Sequence, residues 1–444
     1  MGNESPESRG EARVIGAERT QVEWRAFDLD GLIGADHRAR LVWGAVEQLD
    51  LRPFYDAIAA RGAEPGRPAL DPKVLLALWV YATSEGVGSA RHLARLCERD
   101  HAYMWICGGL RPNYHTLSDF RVEHGDKLDT LLTQLLAALM KRGLLQLRSV
   151  AQDGTRARAN AGASSFRRAS TLRERCLQDA QEQVKALRRE LDEDPAASSN
   201  REAAARKRAA DERLEAVKRA IAELPQVQAA HERTQKKRAR ETRRKGRDKP
   251  VSDKKSEPRV STTDVDARVM KMGDGGFRPA YNLQFATDAE SRLIVGVEVT
   301  NDGTDRAQMP PMVEQVERRT GKLPEKWLVD GGYTSLEAID HVEARATHVY
   351  APVPAPRREG IDPYERKRED TDRTAAWRAR MKTEQAKQTY RLRAAVAETV
   401  HADLRAWRGL NRLPVRGRPK VRAVALLLAL THNLLRVEAL RQAA

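Results

Sequence analysis

The sequence predicts a mixed α/β (α+β) fold, with an all-helical region before the sheet and a helical insertion within it. Apolar residues recur at helical spacing from position 37 to about position 145. Strand-like and helical runs then alternate from position 147, which is typical of a mixed sheet with flanking helices. A charged stretch with heptad-spaced apolar residues separates the first strand-like run from the rest. The 444 residues are enough for two or three folded units.

The N-terminal part is predicted to be a flexible tail followed by a helical domain. Residues 1–25 are polar and aperiodic, as flexible tails are. Within residues 26–145, Asp71 before Pro72 is typical of a helix N-cap and first turn, and Ser89 and Asn113 precede two short helical segments. Short helices joined by tight turns favour a helix-turn-helix DNA-binding domain, although a bundle that only packs would have the same pattern.

The second domain is predicted to combine residues 146–160 with residues 260–444. Its first strand is Leu147 to Ala151, which leads into Asp153 and Gly154. Two apolar runs on either side of a turn-rich segment predict a β-hairpin. The predicted elements are the hairpin strands at 280–287 and 293–299, helices at 308–319 and 335–344, and strands at 326–329 and 347–351.

Residues 161–259 interrupt the α/β domain and are predicted to form a charged helical insertion. Apolar residues recur at helical spacing from Leu172 to Leu191 and at heptad spacing from Leu214 to Leu224. The breaker at 194–200 between them predicts an antiparallel helical hairpin with coiled-coil packing. Glu232 to Lys249 then holds ten Lys or Arg residues against three acids. This basic arm can track DNA phosphates, and a solvated arm without a partner has the same composition.

The composition favours a polyanionic partner and a reducing compartment. Lys and Arg outnumber Asp and Glu by 79 to 63, which gives a formal net charge of +16. The three cysteines, Cys97, Cys107 and Cys176, are too few for a disulfide framework, and their spacing with nearby histidines matches no common zinc finger. Because no signal segment or membrane-length apolar stretch is evident, the sequence predicts a cytoplasmic protein, associated with the nucleoid when it binds DNA.

Two acids follow short apolar runs closely and are themselves followed by glycine. Asp153 comes after the run ending at Ala151, and Asp330 comes directly after Trp327 to Val329. Strand ends in α/β sheets present ligands from this position, and carboxylates that meet in one cleft can hold the two divalent ions used in phosphodiester cleavage. Their hard oxygen atoms favour Mg²⁺ or Mn²⁺. An Asp that only caps a turn would have the same sequence context.

A third acid has to come from elsewhere, and the helix predicted at 382–407 offers Glu398. At about 100° per residue, Glu398 shares a polar arc with Arg405, while apolar residues form a separate stripe that can pack against the core. A solvated polar face would have this pattern too. Glu384 and Asp403 are rival acids on the same helix.

Five motifs of this sequence resemble the insertion-sequence DDE transposases. In chain order they are Asp153-Gly-Thr with Asn160, Ser261 to Ala267, Gly276 to Asn282, Val329-Asp-Gly-Gly-Tyr333, and Tyr390-x-x-Arg393-x-x-x-x-Glu398. The segment from Arg408 to Leu435 is similar to the C-terminal end of that family, and residues 37–145 are similar to the helical N-terminal domain that many members carry. The resemblance covers most of the chain except the N-terminal tail and the charged insertion.

The resemblance implies a metal-dependent transposase with an RNase H-like core. Asp153 on the first strand, Asp330 on the fourth and Glu398 on a later helix would be the catalytic acids and would bind two Mg²⁺ or Mn²⁺ ions. The implied reactions are cleavage and strand transfer of double-stranded DNA by in-line phosphoryl transfer, first with water and then with the freed 3′ hydroxyl as nucleophile. Action on paired terminal inverted repeats and a target duplex implies a homodimer.

The resemblance also implies DNA contacts around the glutamate. In the family, a tyrosine, an arginine and a basic residue engage the transposon end; here they map to Tyr390, Arg393 and Arg405, of which Arg405 stands where lysine is usual. We expect further DNA contacts from basic residues of the C-terminal segment and of the insertion, namely Arg408, Arg412, Lys236, Lys237, Arg243 and Arg244. Three further acids, Asp264, Asp266 and Asp274, are second-tier candidate site residues.

Two other functions remain open on the sequence alone. A transposase-derived DNA-binding protein without catalytic activity should have lost one of the three acids, and all three are present. A coiled-coil scaffold would explain the insertion but not the acids that follow strands. No nucleotide cofactor is implied, because the Gly-rich segment Met270 to Gly276 fits neither a P-loop nor a dinucleotide-binding fingerprint.

Overall fold

The structure is a computed structural model, and the described parts of the chain form a mixed sheet with helices around it. It describes residues 28–61, 68–193, 200–244, 257–356 and 360–443, of which 191–193, 200–201, 237–244 and 442–443 are described by their backbone alone. The predicted tail at 1–25 therefore lies outside the described residues, as do most of the predicted breaker at 194–200 and residues 245–249 of the basic arm.

The described N-terminal region is helical, as predicted. Three helix starts are capped by side chains: Asp71 accepts from the Lys73 amide at 2.8 Å, Ser89 accepts from the His92 amide at 3.3 Å, and Asn113 accepts from the Thr116 amide at 2.9 Å. The helices are α1 Arg38–Glu47, α2 Arg52–Asp56, α3 Pro72–Ser84, α4 Ala90–Arg99, α5 His101–Cys107, α6 Tyr114–Glu123 and α7 Gly125–Lys141. Helix α3 is buried along its length except at Lys73, and it packs against α1, α5 and α6.

A six-stranded mixed sheet follows. Five of its strands lie in the order β4-β5-β1-β7-β8, and the sixth, β6, pairs with a different part of β5 than β4 does. Strand β1 is antiparallel to β5 and parallel to β7, which is parallel to β8. The predicted hairpin is confirmed as β5 and β6. The strands are β1 Ser149–Arg158, β4 Arg268–Lys271, β5 Phe277–Asp288, β6 Ile294–Thr300, β7 Lys326–Leu328 and β8 His348–Tyr350. The predicted mixed α/β fold is thus confirmed, and it is consistent with the RNase H-like core that the resemblance implies.

The prediction that the first strand ends at Asp153 and opens there into a turn is wrong. Strand β1 continues to Arg158 because β5 pairs with it from Val150↔Asp288 to Arg158↔Ala280. Gly154 lies inside the strand opposite Gln284 and does not open a turn. By contrast β7 does end before Asp330, where a short 3₁₀ turn at Gly331–Tyr333 follows.

The insertion contains the predicted antiparallel helical hairpin. Helix α8 Ala169–Thr171 continues through a π-helical turn at Leu172–Cys176 into α9 Leu177–Glu193, and α10 spans Asn200–Arg244. Contacts between Glu190 and Arg206, and between Gln183 and Arg213, fix the antiparallel direction. A small apolar cluster around Leu172, Leu224 and Val260 anchors α10 to the short strand pair β2 Phe166–Arg168 and β3 Arg259–Ser261.

The remaining helices cover the sheet and join it to the N-terminal region. They are α11 Met309–Thr320, α12 Leu336–Glu343, α13 Asp372–Lys382, α14 Glu384–Ala406 and α15 Arg418–Ala443. Helix α15 packs against β6 and also against α3, α6 and α7. Its Asn433 carboxamide bonds both the N–H and the C=O of Ile294 at 2.8 Å. The stretch Arg418–Arg441 is long and apolar enough to cross a membrane, but 67% of its most apolar window is buried inside the protein, as expected of a core helix.

Candidate active site

Asp153 and Asp330 lie at matching positions of two neighbouring parallel strands. The last pair of the β1–β7 ladder is Ala151↔Leu328. Two residues further along each chain are Asp153 and Asp330, and because side chains alternate along a strand, both fall on the same side of the sheet. The structure therefore brings these two predicted acids together at the point where β7 ends and β1 continues.

Asp153 is a mostly buried carboxylate that faces helix α14. Its Oδ2 lies 3.5 Å from Arg393 Nη1 and 3.8 Å from His401 Nδ1, and its Oδ1 accepts from the Gly154 amide at 2.8 Å. Burial, helped by the charges of Asp330 and Asp305, raises the pKa of Asp153 to about 6, although the charge of Arg393 opposes the rise. One guanidinium thus only partly balances the carboxylates around Asp153.

His401 faces Asp153 as a neutral imidazole. Only 13% of its side chain is exposed, and it packs edge-on against the Phe285 ring at a centroid distance of 5.9 Å. Burial lowers the pKa of His401 to about 4, and the nearby charges of Arg405 and Arg393 lower it too. At neutral pH the 3.8 Å approach to Asp153 is therefore not an ion pair.

Glu398 lies on α14 but on its exposed side, one turn away from the residues that face Asp153. Arg393 and His401 point toward the sheet, and no hydrogen bond or ion pair holds the Glu398 carboxylate among the described residues. The structure places this acid on the helix that covers the site without bringing its carboxylate to the two aspartates in the conformation described.

The rival acids of α14 are bound elsewhere. Asp403 accepts from Arg408 Nε at 2.8 Å and lies 3.1 Å from His432 Nδ1, so it joins α14 to the C-terminal helix. Burial alone would raise the pKa of Asp403, but hydrogen bonds from His432 and Arg408 hold it below its ordinary value. Glu384 is exposed in the first turn and pairs with Lys387 at 2.7 Å. Of the three acids, Glu398 is the one left available.

A fourth acid, Asp305, lies beside the two aspartates and was missed by sequence reasoning. Its Oδ1 accepts from Asn282 Nδ2 at 2.6 Å and from Gln284 Nε2 at 2.7 Å. A Cβ added at Gly154 would come closer than 3.0 Å to the side chains of all three of these residues. A Cβ added at Gly332 would lie 2.9 Å from Asp330 Oδ1 and 3.7 Å from Asp305 Oδ2, so both carboxylates border the same small space.

A buried polar network supports this region from beneath. Gln152 Nε2 donates to Gln284 Oε1 at 3.0 Å, and Gln152 Oε1 accepts from Trp327 Nε1 at 3.1 Å. The Tyr333 hydroxyl also donates to Gln284 Oε1. Burial raises the pKa of Tyr333 well above its ordinary value, which keeps the hydroxyl a donor. The network joins β1, β5, β7 and the turn after Asp330, and so fixes the backbone that carries Asp153.

The alternation of polar and apolar residues along β5 is a sequence signal for this network. Asn282 and Gln284 fall on one side of the strand, while Tyr281, Leu283 and Phe285 fall on the other. Both amide residues are at most 1% exposed. Buried polar groups need hydrogen-bond partners. Two amide side chains on the same face of an otherwise apolar strand therefore indicate a buried polar cluster. The identity of the partner, Asp305 in a later loop, could not be read from that pattern.

The predicted DNA contacts on α14 partly hold the helix to β1. Arg393 reaches Asp153, and its guanidinium carbon lies 5.9 Å from the centroid of the half-buried Tyr390 ring. Arg405 is exposed and donates to the Thr155 hydroxyl. Arg393 and Arg405 thus both contact β1, at Asp153 and at Thr155.

The other predicted DNA contacts are scattered. Arg408 is 11% exposed and paired with Asp403, whereas Arg412 is exposed. Lys236 is exposed on α10. The side chains of Lys237, Arg243 and Arg244 lie outside the described residues.

The second-tier acids have structural partners. Asp264 is 2% exposed and accepts from the Tyr281 hydroxyl at 2.6 Å and the Gly417 amide at 3.1 Å. Asp266 accepts from the Arg418 amide at 2.7 Å, at the start of α15, where a carboxylate is favoured by the helix dipole. Asp274 pairs with Arg278 at 2.7 Å in the β4–β5 turn. Their hydrogen bonds position α15 and this turn, away from Asp153.

The donor set fits an oxygen-preferring cation only in part. Asp153 and Asp330 supply carboxylate oxygens on one face, which is the ligand type that such cations prefer. Burial is the main cause of the raised pKa of Asp153, and the negative charges of Asp330 and Asp305 add to it. Among the described residues, however, no group of three or more His, Cys, Asp or Glu side chains is close enough to hold a metal ion. Among the described side chains, Asp153 and Asp330 therefore have no third His, Cys, Asp or Glu group in position to complete such a ligand set.

Comparison with known proteins gives two family-model matches. Residues 257–434 match the model of the transposase DDE domain, and residues 27–123 match a transposase domain (DUF772). The first match contains Asp330 and Glu398 but begins after Asp153 and after helices α9 and α10. No curated protein and no solved structure matched the chain.

Proposed function

We propose that this chain, which belongs to the insertion-sequence DDE transposases, binds the terminal inverted repeats of its element and catalyses metal-dependent strand cleavage and strand transfer. Asp153, Asp330 and Glu398 are the acids of the proposed reaction, and two Mg²⁺ or Mn²⁺ ions are its cofactors. The observation that carries the proposal is the placement of Asp153 and Asp330 at matching positions of β1 and β7, beneath the helix that bears Glu398.

The proposed chemistry is in-line phosphoryl transfer. Asp153 and Asp330 would hold the cations, and Glu398 would complete the ligand set by turning its exposed side chain toward them. Bound divalent ions lower the pKa of a nucleophilic water and stabilise the leaving oxygen. Arg393, 3.5 Å from Asp153, balances part of the negative charge and is placed to contact a phosphate of the DNA. His401, held neutral by its burial, adds no positive charge beside Asp153.

We propose that duplex DNA runs past Asp153 and Asp330 and onto helix α4. Arg91, Arg95 and Arg99 are exposed on that helix, and Arg91 stacks over Tyr114 at 5.0 Å. Basic side chains on one helix face are suited to phosphate contacts or to entry into the major groove. Because the family acts on paired ends, we also propose a homodimer, with the exposed hairpin of α9 and α10 as one candidate contact.

The experiment that tests the proposal is cleavage of the element's own ends. The full-length protein is incubated with Mg²⁺ and duplexes carrying the repeats that flank its gene, and the cut positions are mapped. We expect Mg²⁺-dependent cuts that leave 3′ hydroxyls at the element boundary, and no cuts with EDTA. Binding of the repeats without any cut would instead favour the DNA-binding protein without catalytic activity.

Metal affinity is expected to depend on pH through Asp153. Because the folded protein holds the pKa of Asp153 at about 6, this carboxyl is protonated at lower pH and unavailable to a cation. The Mn²⁺ dissociation constant, measured by electron paramagnetic resonance, should therefore rise roughly tenfold per pH unit below about 6 and level off above it. In Asp153→Asn, the remaining Mn²⁺ affinity should not change with pH in this range. The same rise of the dissociation constant below pH 6 in that variant would show that another group is titrating.

A further inference from the structure

A separate cavity lies where the helical N-terminal region meets the segment after α14. Its volume is about 300 Å³. Residues 86–89 and Trp79 line one side, and residues 408–414 together with α15 line the other. Of the described residues that line the cavity, three are arginines, namely Arg121, Arg408 and Arg412, and none is acidic. The cavity is therefore electropositive, although much of its wall is apolar.

Arg121 is an unpaired cation in the wall of this cavity. The residue is 5% exposed, and no carboxylate lies within ion-pair distance of it among the described residues. Its Nη1 donates to the Gly88 carbonyl at 2.5 Å, its guanidinium lies 4.3 Å from the Trp79 ring centroid, and its Nε has no hydrogen-bond partner. Burial lowers the pKa of Arg121 to about 10. A buried charge without a counter-ion is costly, so an anion at this position would stabilise the protein.

Two further features of the cavity favour an anion. The first turn of α4 begins at its rim, with Ser89 as the N-cap, and helix N-termini favour negative charge. Arg412 is exposed at the opposite rim and is not in an ion pair within the described residues. Arg408 contributes less, because Asp403 already balances its charge at 2.8 Å. Two guanidiniums thus remain unbalanced on opposite sides of one space.

We propose that this cavity is a phosphate-binding site, with Arg121 and Arg412 as its cationic groups. Its volume accommodates one phosphate group, and a planar guanidinium can donate two parallel hydrogen bonds to phosphate oxygens. The phosphate belongs either to a DNA backbone or to a free phosphate ion. The first source rests on the proposed function, and it agrees with the exposed Arg91 and Arg95 on the helix that begins at the rim.

The test compares two binding reactions of the full-length protein. Binding of inorganic phosphate is measured by isothermal titration calorimetry, and affinity for a duplex carrying the repeats is measured between about 50 and 200 mM salt. Both are repeated with Arg121→Gln and Arg412→Gln. The matched control is Arg52→Gln, which removes one positive charge from the same region at a side chain that is 84% exposed and does not line the cavity. Circular dichroism during heating verifies folding, and the exposed Arg412 gives a variant that tests the site if Arg121→Gln does not fold.

The site predicts weaker phosphate binding in both cavity variants, by roughly tenfold, and no change in Arg52→Gln. If the phosphate is part of DNA, the variants also bind the duplex less tightly, and the slope of log affinity against log salt falls by about 0.9. If it is a free ion, duplex affinity stays at the wild-type value while phosphate binding weakens.

Unchanged phosphate binding and unchanged duplex affinity in folded Arg121→Gln and Arg412→Gln would overturn the site and leave Arg121 as a packing residue. That result would not affect the proposed function, because wild-type cleavage of the ends is measured separately. Conversely, Arg121-dependent phosphate binding in a protein that neither binds nor cuts the ends would contradict the proposed function and retain the site.

Discussion

Replacing Asp153 by Asn is expected to lower the rate of Mg²⁺-dependent cleavage of the element's ends by a factor of at least about 10³. The affinity of the variant for the ends should stay within a few-fold of the wild-type affinity. Asparagine keeps the shape of the side chain, so the hydrogen bond from the Gly154 amide can persist. It removes the negative charge that a cation between β1 and β7 would need. Cleavage is measured on labelled duplexes and binding by gel shift, with Asp302→Asn as a control that removes an exposed carboxylate nearby.

The same substitution is expected to stabilise the metal-free protein at neutral pH. The folded state raises the pKa of Asp153 from 3.8 to about 6, so the folded protein binds this proton more tightly than the unfolded chain. The wild type therefore loses stability as pH rises from about 4 to about 6, by up to roughly 3 kcal/mol, and Asp153→Asn does not. Urea unfolding at pH 7.5 and at pH 4 should show a higher free energy of unfolding for the variant than for the wild type only at pH 7.5. An equal or lower stability at pH 7.5 would contradict the electrostatic description of this site.

Periodicity predicted most of the elements around the site, although not the full length of β1. The β5–β6 hairpin, the helices that follow it and the insertion hairpin were predicted, because their apolar residues recur at the spacing of one buried face. Asp330 was correctly placed after a short strand. The same reasoning ended the first strand too early, because Gly154 suggests a turn, whereas pairing with β5 keeps the chain extended.

The support beneath the aspartates could not be predicted from local pattern. Gln152 hydrogen-bonds to Gln284, which is 132 residues away in the sequence. Asn282 hydrogen-bonds to Asp305, which is 23 residues away and lies beyond strand β6. Such contacts are set by strand register and by the path of the loop after β6. Arg121 was likewise beyond prediction, since an arginine in a helical segment gives no sign that it will be buried without a carboxylate.

Replacing Glu398 by Gln is the second substitution expected to abolish cleavage. Helix α14 places Arg393 and His401 toward Asp153, and Glu398 is the acid of that helix for which no described residue is a hydrogen-bond or ion-pair partner. A glutamate has three rotatable side-chain bonds, so the exposed carboxylate can turn toward the aspartates when a cation and DNA are present. We expect a loss of at least about 10³ in cleavage rate with little change in unfolding free energy, because an exposed side chain without partners contributes little to stability.

Cleavage of the repeat-bearing duplex by Glu398→Gln and by Glu384→Gln tests the three-acid centre most directly. Both substitutions remove one exposed carboxylate from α14, and Glu384 lies in the first turn of the helix, paired with Lys387. The account predicts that Glu398→Gln binds the ends and leaves them uncut, while Glu384→Gln cuts at the wild-type rate. Wild-type cutting by Glu398→Gln would contradict the assignment of Glu398 to the site of Asp153 and Asp330.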